Sequence, residues 1–265
     1  MPIVGLRWRL PSWRRLSIAG LAGRETVSNT SDVALFCVSV DGGDPESLST
    51  ELVRQRSDVS NLLEQAGIPS NWTVGEHSEF DLPRLAERTV SVPKIKEKAS
   101  LIKHLRQMNA RLARDSDCLL SVVMDLHEAR ESWETLVRHG CQVVRPRSAE
   151  VTKDTGARII RGGLWAAPLS CSFVGGSRRS VRGLFGICQR RIVEASRNRQ
   201  LFHLNIDVGR TRKSWTEELA ALKALLTVAS DLGRKDRVKC VRFSELPAIA
   251  TKKSAKPMLS ILRAA

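Results

Sequence analysis

Five ionisable side chains stand at the ends of apolar runs. Asp41 closes ALFCVSV, Asp125 and His127 end CLLSVVMDLH, Arg145 follows CQVV, and Asp207 follows LFHLNI. Carboxylates and an imidazole are ligands for a divalent cation and bases for activating water. An arginine among them would hold a carboxylate ionised. Asp125 and His127 are two apart in a run read as one strand, Cys118 to His127, so both point to one side. Phe202, Leu204 and Ile206 alternate with His203, Asn205 and Asp207, which puts three polar groups on another face. The plain alternative is a set of caps and ion pairs in which Asp125, His127 and Asp207 meet Arg145, Arg147 and loop arginines.

The elements that must position these groups are legible by period. Ala34 to Asp41 reads as a buried strand with Cys37, Ser39 and Asp41 on one face. A helix over 48–66 follows, with Leu52, Val59, Leu62 and Leu63 inward, then Gly67 and a short strand near 71–74. Residues 76–93 lack a period and read as a long loop. A basic helix over 94–114 carries an apolar stripe of Leu101, Leu105, Met108 and Leu112. After the 118–127 strand come a short helix near 132–138 and a strand over 141–145, stopped by Pro146. Segments 158–161 and 169–173 read as extended, and 178–199 as a basic helix with Cys188 and Ile192 inward. Ser214-x-x-Glu217 has the pattern of a capping box for a helix ended by Gly233, and Val238 to Arg242 is a last strand. His77, His104 and His139 have no partner suggested by spacing and read as surface or helix-end residues.

About seven strands alternating with helices predict one α/β domain, either a barrel or an open sheet, over 31–247. Residues 1–30 form a basic arm in which Arg7, Arg9, Arg14 and Arg15 interleave with Trp8 and Trp13. Such an arm either straps over the domain or makes weak contact with an anionic membrane surface. A basic tail covers 248–265. The net charge of +15, from 43 basic and 28 acidic residues, favours anionic partners. Aromatics are only 5%, without tyrosine, and no nucleic-acid motif is present, so specific nucleic-acid binding is not expected. The six cysteines lie scattered without a close C-x-x-C pair. They read as buried free thiols of a cytoplasmic protein rather than a zinc knuckle.

The order of the pieces resembles the polysaccharide deacetylase family, the NodB-homology domain of carbohydrate esterase family four. Ser39-Val40-Asp41-Gly42-Gly43 resembles its first motif, T-F-D-D-G. Residues 62–74, LLEQAGIPSNWTV, resemble the following helix, its G-I-P turn and the next strand. Val144-Arg145-Pro146 resembles R-x-P, and FHLNID at 202–207 resembles the last strand, F-H-L-W-x-H-P. The likeness spans about 34–246 and implies a distorted, incomplete (β/α) barrel of mainly parallel strands. It implies that Asp41 is the general base and Arg145 the residue that holds it. It also implies a zinc ion, yet Gly42 stands where the second, metal-binding aspartate is expected. H-x-x-x-H is absent, and Asp207 replaces the last-strand histidine.

Two functions follow from the likeness, and a third from charge alone. The first is an inactive relative that binds a glycan, or a partner enzyme, at the barrel mouth. The second is a divergent hydrolase that removes N-acetyl groups from an amino sugar. Its metal would sit on a rebuilt site containing Asp125 and His127. In either, Asn205 and Asp207 would contact the saccharide, and Trp165, in GLWAAP, would stack on a sugar ring or serve as core. The third is a nucleic-acid binder driven by charge.

Overall fold

The architecture is set by β1, Ala34–Asp41, and the two edges it offers. Seven of its eight residues are buried, as a strand covered on both faces requires. Along one edge it pairs in parallel with β9, Leu201–Asp207, from Leu35↔Leu201 to Asp41↔Asp207. The other edge is shared. β10, Val238–Cys240, takes the first half of β1, and β2, Ser70–Val74, takes the second.

The structure is a computed structural model. It describes residues 33–42, 49–74, 82–94, 97–114, 118–147, 156–174, 180–209 and 214–251. The basic arm at 1–30, His77 and most of the tail lie outside the described residues. From β2 the sheet continues through β3 (Ala86–Ser91), β4 (Ser121–Val123), β5 (Val143–Arg145), β7 (Leu164–Ala166) and β6 (Arg158–Arg161). On the far side β8, Cys171–Val174, pairs with β9. All pairings are parallel except the β6–β7 hairpin. Only residues 167–170 separate β7 from β8, so one chain segment supplies strands near both ends of the sheet path and curls it toward itself. This is the α/β, incomplete-barrel architecture expected.

Helices cover the outside. α1 is Thr50–Gln65, α2 is Lys98–Arg114, α5 is Val181–Asn198 and α6 is Trp215–Arg234. Short helices α3 (Leu126–Glu131), α4 (Trp133–Arg138) and α7 (Leu246–Thr251) complete the set, with a 3-10 turn over Phe243–Glu245. One outer core packs Phe36, Trp72, Phe173, Phe202 and Leu226 against α1, α5 and α6. Another packs Leu105, Met108, Val122 and Leu136 beneath α2 and α4. No described helix is long and apolar enough to cross a membrane.

Several expectations are corrected. The reading of 76–93 as loop missed β3, whose Ala86–Arg88 half is only part-buried and lacks an apolar stripe. The three-residue strand β7 was hidden beside Gly162-Gly163, whose φ of +56° and +85° make the hairpin turn. The capping box at Ser214 does not form; its Oγ donates to Glu218 Oε1 at 2.7 Å instead. Helix α6 runs one residue past Gly233. His104 is buried on α2 rather than at the surface. Cys171 and Cys188 form a disulfide between β8 and α5, while Cys37, Cys118, Cys141 and Cys240 are free; of these, only Cys37 and Cys141 are buried.

Candidate functional site

Strand register fixes which side chains enter the barrel. Odd-numbered residues of β1 face inward, and the pairings carry that face to Asn71, Thr73, Thr89, Ser121, Val143, Arg145, Trp165, His203, Asn205 and Asp207. These residues sort by height. Near the amino-terminal ends of the strands lies an apolar floor of Leu35, Cys37, Val143, Trp165, Leu201 and Phe243. Above it lies a polar layer, and Asp41 sits at the carboxyl-terminal rim, where parallel α/β folds place their sites.

Arg145 organises the polar layer. Its guanidinium grips Asp41 with both terminal nitrogens, Nη2 to Oδ1 at 2.6 Å and Nη1 to Oδ2 at 3.1 Å. Nη1 also reaches Asn205 Oδ1 at 2.5 Å and Ser39 Oγ at 3.3 Å. Asn205 Nδ2 donates to Asp41 Oδ2 at 2.9 Å, and Thr73 Oγ1 donates to Oδ1 at 2.7 Å. Burial alone would raise the Asp41 pKa. The adjacent Arg145 charge and the donors from Arg145, Thr73 and Asn205 outweigh it and hold the carboxyl below its ordinary value. The Asp41 side chain keeps 23% exposure, while that of Arg145 keeps 2%, so the carboxylate is the accessible end of the pair.

Beneath them His203 Nε2 lies 2.8 Å from Ser39 Oγ, and Nδ1 lies 3.0 Å from the Ala167 carbonyl. Burial, joined by the Arg145 charge, pushes the His203 pKa down to about 3, so the ring is neutral. Nδ1–H then donates to Ala167, and Nε2 is left as an acceptor. Ser39 is fully buried and also contacts Asn205 Oδ1 at 2.9 Å, so the Ser39–His203 pair is a support under the rim, not an exposed nucleophile.

Of the residues singled out by sequence, Asp41, Arg145 and Asn205 converge directly. Asp207 pairs with Asp41 in register, and its Oδ1 caps the turn by accepting from the Gly209 N–H at 2.9 Å. Asp125 and His127 do not share a strand face. The strand β4 stops at Val123, Asp125 is the N-cap position of α3, and His127 lies in its first turn. Asp125 pairs with Arg147 at 3.1 Å, and the exposed His127 lies 3.6 Å from Glu131. Trp165 is 2% exposed in the barrel floor, which leaves no ring face for a sugar.

The zinc implied by the sequence likeness does not fit these residues. Both Asp41 oxygens are engaged by a guanidinium. Gly42 offers no carboxylate, and a Cβ there would lie 3.1 Å from Cζ, Nε and Nη2 of Arg56. The Arg56 guanidinium, 5.9 Å from the Trp72 ring centre, therefore lies where a longer residue at 42 would point. Among the described residues no three His, Cys, Asp or Glu side chains are grouped to hold a metal. Thr73 and Arg56 were missed from sequence. Arg56 had a signal: a charge on the buried stripe of α1, between Leu52 and Val59.

Comparison with known proteins agrees with this frame at the level of fold. A provisionally assigned polysaccharide deacetylase of Mycobacterium smegmatis superposes with a TM-score of 0.62 over 85% of this chain and 92% of its own, at 11% identity. A provisionally assigned hydrolase of Bacteroides thetaiotaomicron gives 0.58, also at 11% identity, over 85% of this chain and 46% of that one. No family model matches, and no curated protein matches. At such identity the likeness establishes the α/β incomplete-barrel fold alone. The chemistry has to be argued from the rim itself.

Proposed function

We propose that this chain is a deacetylase-like barrel protein that binds a saccharide at its mouth without a catalytic metal. The observation that carries the reading is the Asp41–Arg145 pair. A base that activates water works best with a pKa near the working pH, and Asp41 is held in the opposite direction. A fixed, ionised and partly accessible carboxylate, held from beneath by the buried Asn205 amide, is instead a hydrogen-bonding rim suited to sugar hydroxyls. The carboxylate needs no rearrangement to present itself, because Arg145, Thr73 and Asn205 hold it in place.

Calorimetry with N-acetylated oligosaccharides, with chelator present throughout, tests the reading. Binding that survives the chelator and disappears in Asp41→Asn is expected. Absence of binding to every such sugar, with the protein folded, would overturn it. A second reading keeps one observation in its favour: the Asp41 carboxylate keeps 23% exposure, so a water or substrate can reach it from the mouth. That reading, a divergent hydrolase releasing acetate from an amino sugar, requires acetate in the same incubations once zinc replaces the chelator.

A further inference from the structure

Helix α2 carries no acidic residue between Lys98 and Arg114, but it carries Lys98, Lys103, Arg106, Arg111 and Arg114. No ion pair joins any of the five to an acidic side chain among the described residues. Its inward face is Leu101, His104, Leu105, Met108 and Leu112. Lys103, Arg106 and Arg114 are exposed on the opposite face. At 3.6 residues per turn they fall within roughly 80° of arc and span about 16 Å of helix axis. They form a row rather than a cluster. The row also has a direction. Strand β3 ends at the same rim as Asp41, so α2 begins at the mouth and runs back along the outside of the barrel.

We infer that this face of α2 is a docking surface for a polyanionic saccharide chain, one whose sugars bear carboxylate or sulfate groups. Like charges at this spacing, with no acidic partner among the described residues, repel one another, and a linear polyanion relieves that repulsion by releasing its counterions. The composition of the face argues against two other modes of anion binding, bilayer insertion and base stacking. It has no large exposed apolar residue to enter a bilayer, since the exposed ones are Val53, Val137 and Ile159, all elsewhere. It has no aromatic ring apart from the buried His104, so unpaired bases find no stacking platform. The choice of a saccharide over duplex nucleic acid rests on the proposed reading of the mouth, from which the row departs.

The test uses the full chain and a fluorescent polygalacturonate oligomer, titrated at two salt concentrations. The comparison is with a Lys103→Gln, Arg106→Gln, Arg114→Gln variant whose melting curve confirms folding. We expect the triple variant to bind roughly tenfold or more weakly and to show a shallower salt dependence. Binding of a neutral N-acetylated oligosaccharide should be unchanged in that variant and lost in Asp41→Asn, which separates failure of the mouth from failure of the helix. Equal polygalacturonate affinity in wild type and triple variant would overturn the inference. So would tighter binding of a short DNA duplex than of polygalacturonate at the same salt, which would assign the face to nucleic acid.

Discussion

Arg145→Met removes one side chain and exposes the electrostatics of the whole rim. Methionine keeps much of the volume but leaves Asp41 with only Thr73 at 2.7 Å and Asn205 at 2.9 Å as donors. Breaking a buried pair by deleting one partner costs about 3–5 kcal/mol, because the other charge stays desolvated. For a chain of this size the melting temperature should fall by about 10 °C at pH 7. The loss must depend on pH with a definite sign. In the wild type the Asp41 pKa is depressed in the folded state. The pair's contribution is therefore full above the ordinary carboxylate pKa and is lost as pH falls through the lower folded value. In the variant, burial is opposed by less and the folded pKa rises. Its deficit is then largest at neutral pH and shrinks on acidification, when Asp41 can take a proton. Asp41→Asn combined with Arg145→Met removes both charges and should recover much of the stability. Urea titrations from pH 4 to 7 on the wild type and the two variants would check this. A deficit below about 1 kcal/mol, or one that is flat with pH, would refute the claim that this ion pair organises the layer.

The buried His203 gives a second pH effect. Its folded pKa of about 3 lies below the ordinary 6.5, so protons bind the unfolded chain first and stability falls as pH drops through that window. The slope approaches about 1.4 kcal/mol per pH unit for one proton, and His203→Gln should remove it from urea midpoints measured over the same range. Gly162→Ala would place a Cβ 2.0 Å from Cζ3 of Trp133 at a φ of +56°. A loss of about 3 kcal/mol in urea unfolding is expected there, against little change for Gly156→Ala, which has open space. The Cys171–Cys188 disulfide closes a separation of 17 residues. Thiol alkylation of the unreduced, unfolded chain should label four of six cysteines, and reduction should lower stability by about 3 kcal/mol.

The sequence exposed the parts of the fold whose period runs long enough to be read. β1, β9, α1 and α6 each repeat their pattern over seven residues or more. His203, Asn205 and Asp207 were placed on one face because alternation carries a face from residue to residue. What alternation cannot show is where a strand stops. Leu120, Val122, Met124 and Leu126 keep a period of two, yet the ladder ends at Val123 and the chain turns into α3 at Asp125. Aspartate is as good at opening a helix as at closing a strand, so the local pattern fits both outcomes. Trp165 illustrates a different limit. Its local sequence left a sugar platform and a core residue both open, and pairing of β7 with β5 decides for the barrel floor. Pairing between strands far apart in sequence carries that information, and no window along one strand contains it.

The same pairing underlies the proposal that the rim holds a ligand rather than attacking one. Register stacks Ser39, Asn205 and His203 under Asp41, and Arg145 enters from β5 on the other side of the barrel. A buried guanidinium is a costly way to fill such a space, since well-packed apolar side chains would give equal or greater stability. Its effect is to fix one carboxylate in one place and one charge state. Catalysis of hydrolysis needs a group that changes protonation near neutral pH, and the two titratable members of this network are both driven away from it, Asp41 by the arginine and His203 by burial. Recognition needs the reverse: polar groups whose charge and orientation stay constant as a ligand arrives. That criterion is what favours the recognition proposed above over hydrolysis.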